Sequence, residues 1–137
     1  MRLWHIDLIP YLPKSQLLAQ WRELNSIFKK QDKHILINYI YDYSKYELRN
    51  YSREVISEMQ FRGYNVNIEN HLKYFESLCV DFHNDYTPRF KEHNNEYLTI
   101  CYYNLKEKYL RGQKDFTTDV WEKLDEFYKK EMGNGER

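Results

Sequence analysis

Apolar side chains recur every three or four residues through almost every long stretch of this chain, and that period selects helix over strand. Over residues 15–28 it places Leu17, Leu18, Trp21, Leu24 and Phe28 on one face. Ser44-Lys45-Tyr46-Glu47 matches a capping box, which predicts a second helix with Leu48, Tyr51, Val55 and Met59 on its apolar face. Gly63 is its natural C′ residue. A third helix is expected over 69–82, through Leu72, Phe75, Cys79 and Phe82. Thr87-Pro88, a good N-cap and N1 pair, precedes a longer one that carries Leu98, Cys101, Tyr102, Leu105 and Tyr109 and stops at Gly112. The last spans 118–132 with Trp121, Leu124, Phe127 and Tyr128 inward, and residues 133–137 should fray.

Residues 34–43, rich in Ile and Tyr, fit helix or extended chain equally well. The first thirteen residues should be extended or irregular, pinned by Trp4, Ile6, Leu8 and Ile9. No set of alternating strands competes. The expected architecture is all-α: a single compact domain over 1–137, with four to five helices and an extended N-terminal arm. Leu18, Trp21, Leu48, Val55, Leu98, Leu105 and Trp121 should share its core.

Composition agrees with long helices, because 4 Gly and 3 Pro leave few breaks in 137 residues. Lys plus Arg equals Asp plus Glu at 21 each, which counts against a wholesale DNA-coating surface but leaves room for a local basic patch. The 14 Tyr carry hydroxyls that need partners when buried, so many should sit at the core boundary or line a groove. Cys79 and Cys101 are too few for a disulfide framework or a zinc site and read as buried small hydrophobes. No apolar run reaches membrane-span length. Asp7, Pro10 and Pro13 interrupt any signal-peptide core, so a reducing cytoplasm is the expected compartment.

No Gly-rich phosphate loop, HExxH, paired CxxC or nucleophile elbow is present, and no cofactor is expected. His5, Glu23 and His34 are ligand types, but their spacing has no metal signature. The tyrosines of YIYDYSKY and ICYY read as packing rather than as base-stacking platforms. Lys123, Lys129 and Lys130 alternate with acids and read as a solvated face. Periodicity alone stops at a helical domain of unstated purpose.

Five segments carry a more specific signal. LLAQWREL at 17–24, Lys33-His34, YDYSKYELRNYSREVISEMQFRGYNV at 41–66, DYTP at 85–88 and NLKEK at 104–108 occur in this order over most of the chain. In that order the chain resembles the pyrimidine-dimer DNA glycosylases of the phage endonuclease V type. The resemblance implies a DNA repair glycosylase with abasic-site lyase activity, acting on damaged double-stranded DNA. A backbone α-amine attacks the sugar C1′, expels the base and leaves an imine, after which elimination breaks the strand. α-Amines suit this role, because they titrate near 7.7–8 against about 10.4 for a lysine. Glu23 falls on the family's catalytic glutamate, where a carboxylate moves protons and stabilises the cationic sugar.

The resemblance also assigns DNA contacts to Arg22, Lys33, His34 and Lys108, and Arg2 joins them next to the terminus. Two departures are informative. The family has a small second residue that lets the initiator Met be removed, whereas Arg2 retains it, so the candidate nucleophile is the α-amine of Met1. Gln16, Ser26 and Asn104 stand where the family has His, Arg and Arg. These losses predict weaker DNA binding or a different substrate, and they leave open a non-catalytic helical module that binds nucleic acid or a protein partner.

Overall fold

The protein is described by a computed structural model covering residues 1–78 and 90–135. Five α-helices, α1 Lys14–Lys30, α2 Lys45–Phe61, α3 Glu69–Tyr74, α4 Asn95–Leu110 and α5 Thr118–Gly135, make up most of it. Two 3-10 helices, Ile6–Tyr11 and Asn38–Asp42, complete the set, and no strand occurs among the described residues. α1 packs against α2 and α3, α4 packs against α5, and the first 3-10 helix lies between α2 and α5. The all-α expectation therefore stands.

The helix-ending signals work as the sequence suggests. Gly63 and Gly112 have φ of 87° and 83°, a region that costs a residue with Cβ dearly. At the end of α2, the Gly63 and Tyr64 N–H groups bond back to the carbonyls of Gln60 and Met59 at 2.9 and 3.0 Å. α1 ends instead on Gln31, a left-handed residue at φ 50° whose N–H reaches the Ile27 carbonyl.

Several local expectations are corrected. The arm is not extended throughout: Ile6–Tyr11 coils as a 3-10 helix because His5 Nδ1 accepts the Asp7 N–H and caps its start. Asn38–Asp42 settles the ambiguous segment as a second short turn of 3-10 helix. The Ser44 half of the α2 capping box does not form, since that side chain makes no cap bond, and Glu47 is buried. The first turn is held by the Glu47 N–H to the Ser44 carbonyl at 3.1 Å. α3 is short, and Leu72 is exposed while His71 and Phe75 turn inward. The His71 ring sits edge-on to Phe28 and Phe75, and burial lowers its pKa to about 4, so it packs as a neutral aromatic. α4 opens on Asn94, whose side chain accepts the Tyr97 N–H at 2.9 Å. Cys79, Phe82 and the Thr87-Pro88 pair lie outside the described residues.

Trp21, Leu48, Val55, Leu98 and Leu105 are buried together, with Leu17, Leu24, Ile27 and Leu124. Leu18 and Trp121 pack only at the edge of that core. Trp121 is only partly buried, as an inner slice of an aromatic stack. It lies parallel to Tyr109 at 5.0 Å and against Tyr102, which stacks on Tyr128 at 3.8 Å. The tyrosine hydroxyls at this boundary find partners, Tyr102 on Asp125 and Tyr128 on Thr99. An α4–α5 seam of rings explains why so many tyrosines fit a helical period.

Candidate active site

The N-terminal arm is fastened by side chains from three helices. From α1, Gln20 Oε1 accepts the Trp4 N–H at 2.8 Å and Gln20 Nε2 donates to the Arg2 carbonyl at 3.1 Å. From α2, the Tyr51 hydroxyl donates to the Trp4 carbonyl at 2.6 Å. From α4, the Tyr97 hydroxyl donates to the Leu3 carbonyl. Just before α4, His93 Nδ1 accepts the Ile6 N–H at 3.2 Å. That contact requires an unprotonated Nδ1, and burial together with nearby His5 pushes the His93 pKa down to about 3. The neutral ring then carries its proton on Nε2, which faces the Tyr39 hydroxyl at 2.7 Å. The backbone beside the terminus is thus held on every side.

Met1 projects from that anchored backbone and remains exposed. It lines a cleft of about 220 Å³ with Arg2, Trp4, Gln20, Glu23 and Lys108. Glu23, from the middle of α1, is partly covered, and burial raises its carboxyl pKa above the ordinary value. The Met1 amine, the Arg2 backbone, Arg22 and Lys108 pull the other way. A half-buried carboxylate sharing a cleft with an amine and a lysine is chemically able to exchange protons.

The sequence-derived candidates divide between this cleft and its surroundings. Met1, Arg2, Glu23 and Lys108 come together. The Arg2 guanidinium is not free in solvent, because it lies 6.0 Å from the Trp4 ring and 5.7 Å from the Tyr97 ring. Arg22 points elsewhere, into a second cleft of about 540 Å³ with Trp21, Ser26, Lys29 and Lys30. Lys33 and His34 are exposed and do not line the first cleft, although Leu36 from the same loop does. His34 serves that loop instead, with Nδ1 accepting the Leu36 N–H at 3.1 Å. His5, Glu23 and His34 do not converge, and no cluster of three metal-ligating side chains occurs among the described residues.

Two of the family departures fall in the cleft wall. Gln16 and Asn104 both line it, and both amides are engaged, Gln16 with Gln113 and Asn104 with the Ile100 carbonyl. Ser26 bonds Asp32. Where the family has cations, these neutral side chains are taken up by bonds within the fold.

Sequence reasoning missed Gln20, Tyr51 and Tyr97, and it missed a run of lysines. For Gln20 a signal existed: it interrupts the buried Leu17–Leu24–Ile27 stripe at helical spacing, where a polar residue demands a partner. The lysines gave none. A third cleft of about 660 Å³ is lined by Lys29, Lys30, Lys45 and Lys73 and shares Lys29, Lys30 and Asn70 with the cleft holding Arg22. These come from three separate helices, so no local charge run marks them.

The profile of one protein family, pyrimidine dimer DNA glycosylase, matches residues 1–72. That span contains the whole arm, α1 with Glu23, and α2 with Tyr51. No curated protein and no solved structure matches. The match covers more than half of the 137 residues and ends within α3. The chain belongs to the pyrimidine dimer DNA glycosylase family.

Proposed function

We propose that the protein is a DNA glycosylase with abasic-site lyase activity, in which the Met1 α-amine is the nucleophile and Glu23 handles protons. The observation that carries this reading is the shared cleft, which brings the chain terminus to a carboxylate whose pKa is raised by burial. The amine lone pair attacks C1′ of the damaged nucleotide while the glycosidic bond breaks and the base leaves with the bonding electrons and a proton. Opening of the sugar ring gives an imine between the Met1 nitrogen and C1′. Transfer of a C2′ proton to Glu23 then expels the 3′-phosphate and breaks the strand, and water hydrolyses the imine to release the amine. A carboxyl that titrates closer to neutrality than an ordinary one suits both giving and taking protons. No bound cofactor is needed for any of these steps.

The test is to incubate the protein with an abasic-site duplex in the presence of borohydride, which reduces the imine to a stable amine link. A covalent protein–DNA adduct is the expected product. No adduct would favour a helical module that binds DNA without cutting it.

The duplex backbone runs, on this reading, along the joined basic clefts beside Arg22, on Lys29, Lys30, Lys45 and Lys73. Each neutralised phosphate contributes about 0.9 to the slope of log affinity against log salt. Replacing these four lysines by Gln should therefore flatten the slope by roughly 3 to 4 and weaken binding at low salt. Anisotropy of a labelled duplex titrated across salt concentrations reads this directly. An unchanged slope would move the backbone to the side of Lys33, His34 and Lys108.

A further inference from the structure

Among the residues that α1 buries, Gln20 is the polar one, and no part of it reaches solvent. A primary amide offers two N–H donors and an oxygen with two acceptor positions. Gln20 Oε1 accepts the Trp4 N–H at 2.8 Å and lies 3.1 Å from the Tyr51 hydroxyl. Gln20 Nε2 lies 3.1 Å from the Arg2 carbonyl and 3.2 Å from Glu23 Oε2. The Trp4 N–H can only donate and the Arg2 carbonyl can only accept, so the amide has a single permitted orientation. Its nitrogen therefore faces Glu23, and its two protons go to the arm backbone and to the carboxylate.

We propose that Gln20 is a positioning residue which holds the Met1 amine and the Glu23 carboxylate in one fixed relation, by bonding the arm and the carboxylate from the same amide nitrogen. This rests on the glycosylase–lyase reading above. The Arg2 carbonyl is one residue from the amine, and Glu23 Oε2 belongs to the reacting group itself. Displacing the amide would let the two drift apart without touching DNA. A misplacement of about 1 Å costs roughly 100-fold in rate. The amide also settles what the carboxylate meets. An N–H donor favours the ionised form and so opposes burial, as do the Met1 amine, Arg22 on the same helix and Lys108 from α4. Arg2 lines the same cleft, and Tyr51 from α2 also feels Glu23 but stays protonated because it is buried.

Two variants separate positioning from mere packing. Gln20→Met keeps the length and removes every polar contact. Gln20→Glu keeps the shape but turns a second carboxyl towards Glu23, where an N–H had been. Single-turnover imine formation at saturating protein should fall roughly 100-fold in Gln20→Met, while the duplex Kd stays within about threefold. In Gln20→Glu the acid limb of the pH–rate profile should move to higher pH. The Glu23 carboxyl titration, followed by carbon-13 NMR without DNA, should move the same way. Wild-type imine formation in both variants, a loss confined to Kd, or an unmoved Glu23 titration in Gln20→Glu would overturn the proposal. Absence of imine in the wild-type protein would instead remove the functional reading, and the NMR titration would still decide the role of Gln20.

Discussion

Glu23→Gln is expected to slow strand cleavage at an abasic site by about 10²- to 10⁴-fold, the range typical of losing a positioned acid–base group. The amide keeps the shape of the side chain and a hydrogen-bonding oxygen, but it cannot take a proton. The sign of the stability effect follows from the carboxyl pKa. Because folding raises it, the charged form is less comfortable in the native state than in the unfolded chain. A carboxylate so held lowers native stability at pH values above its folded pKa, and a neutral amide is spared that cost. The melting temperature of Glu23→Gln should accordingly equal or exceed that of the wild type. Single-turnover cleavage and a thermal melt on the same preparation check both halves. Wild-type cleavage in the variant would assign proton transfer to another group.

Blocking the α-amine should have the larger effect. Acetylation of Met1 turns the proposed nucleophile into an amide with no available lone pair, and borohydride trapping on abasic DNA should disappear. Adding one residue before Met1 leaves an amine but displaces it by up to about 3.8 Å, and trapping should drop sharply. The anchoring of Arg2, Leu3 and Trp4 is what makes this second effect large. With their backbone groups bonded to Gln20, Tyr51 and Tyr97, the arm cannot slide back to accommodate the insertion. Undiminished trapping after complete acetylation would pass the role to a lysine, and Lys108 in the same cleft is the first to test.

The helices were legible because burial imposes a period. The stripe of α1, the Gly63 and Gly112 stops and the apolar face of α4 all follow from local rules about which side of a helix meets the core. The failures share a different cause. α3 is rotated away from its expected face because a histidine, neutral when buried, fills an aromatic pocket that hydropathy gives to Leu72. The 3-10 turn of the arm depends on a cap from His5 and a bond from His93, the latter far away in the chain. The cleft is similar: resemblance singles out Glu23 and Lys108, and the departure at Arg2 singles out Met1, but the amide that links the arm to Glu23 has no motif. Nor do lysines that become neighbours only when α1, α2 and α3 pack. Contacts of this kind are properties of the assembled structure and leave no periodic trace.

The way the arm is tied also sets an order of events during synthesis. Its partners are Gln20, Tyr51, His93 and Tyr97, so its bonds close loops that span as many as 94 residues. Contacts so distant form only after loop-closure entropy has been overcome, and the chain must be made through Tyr97 before two of them can be in place. The arm is therefore among the last parts of the fold to be placed. Until the chain through Tyr97 has been made, the arm lacks two of the partners that hold it, and the Met1 amine and Glu23 stay apart on a loose end.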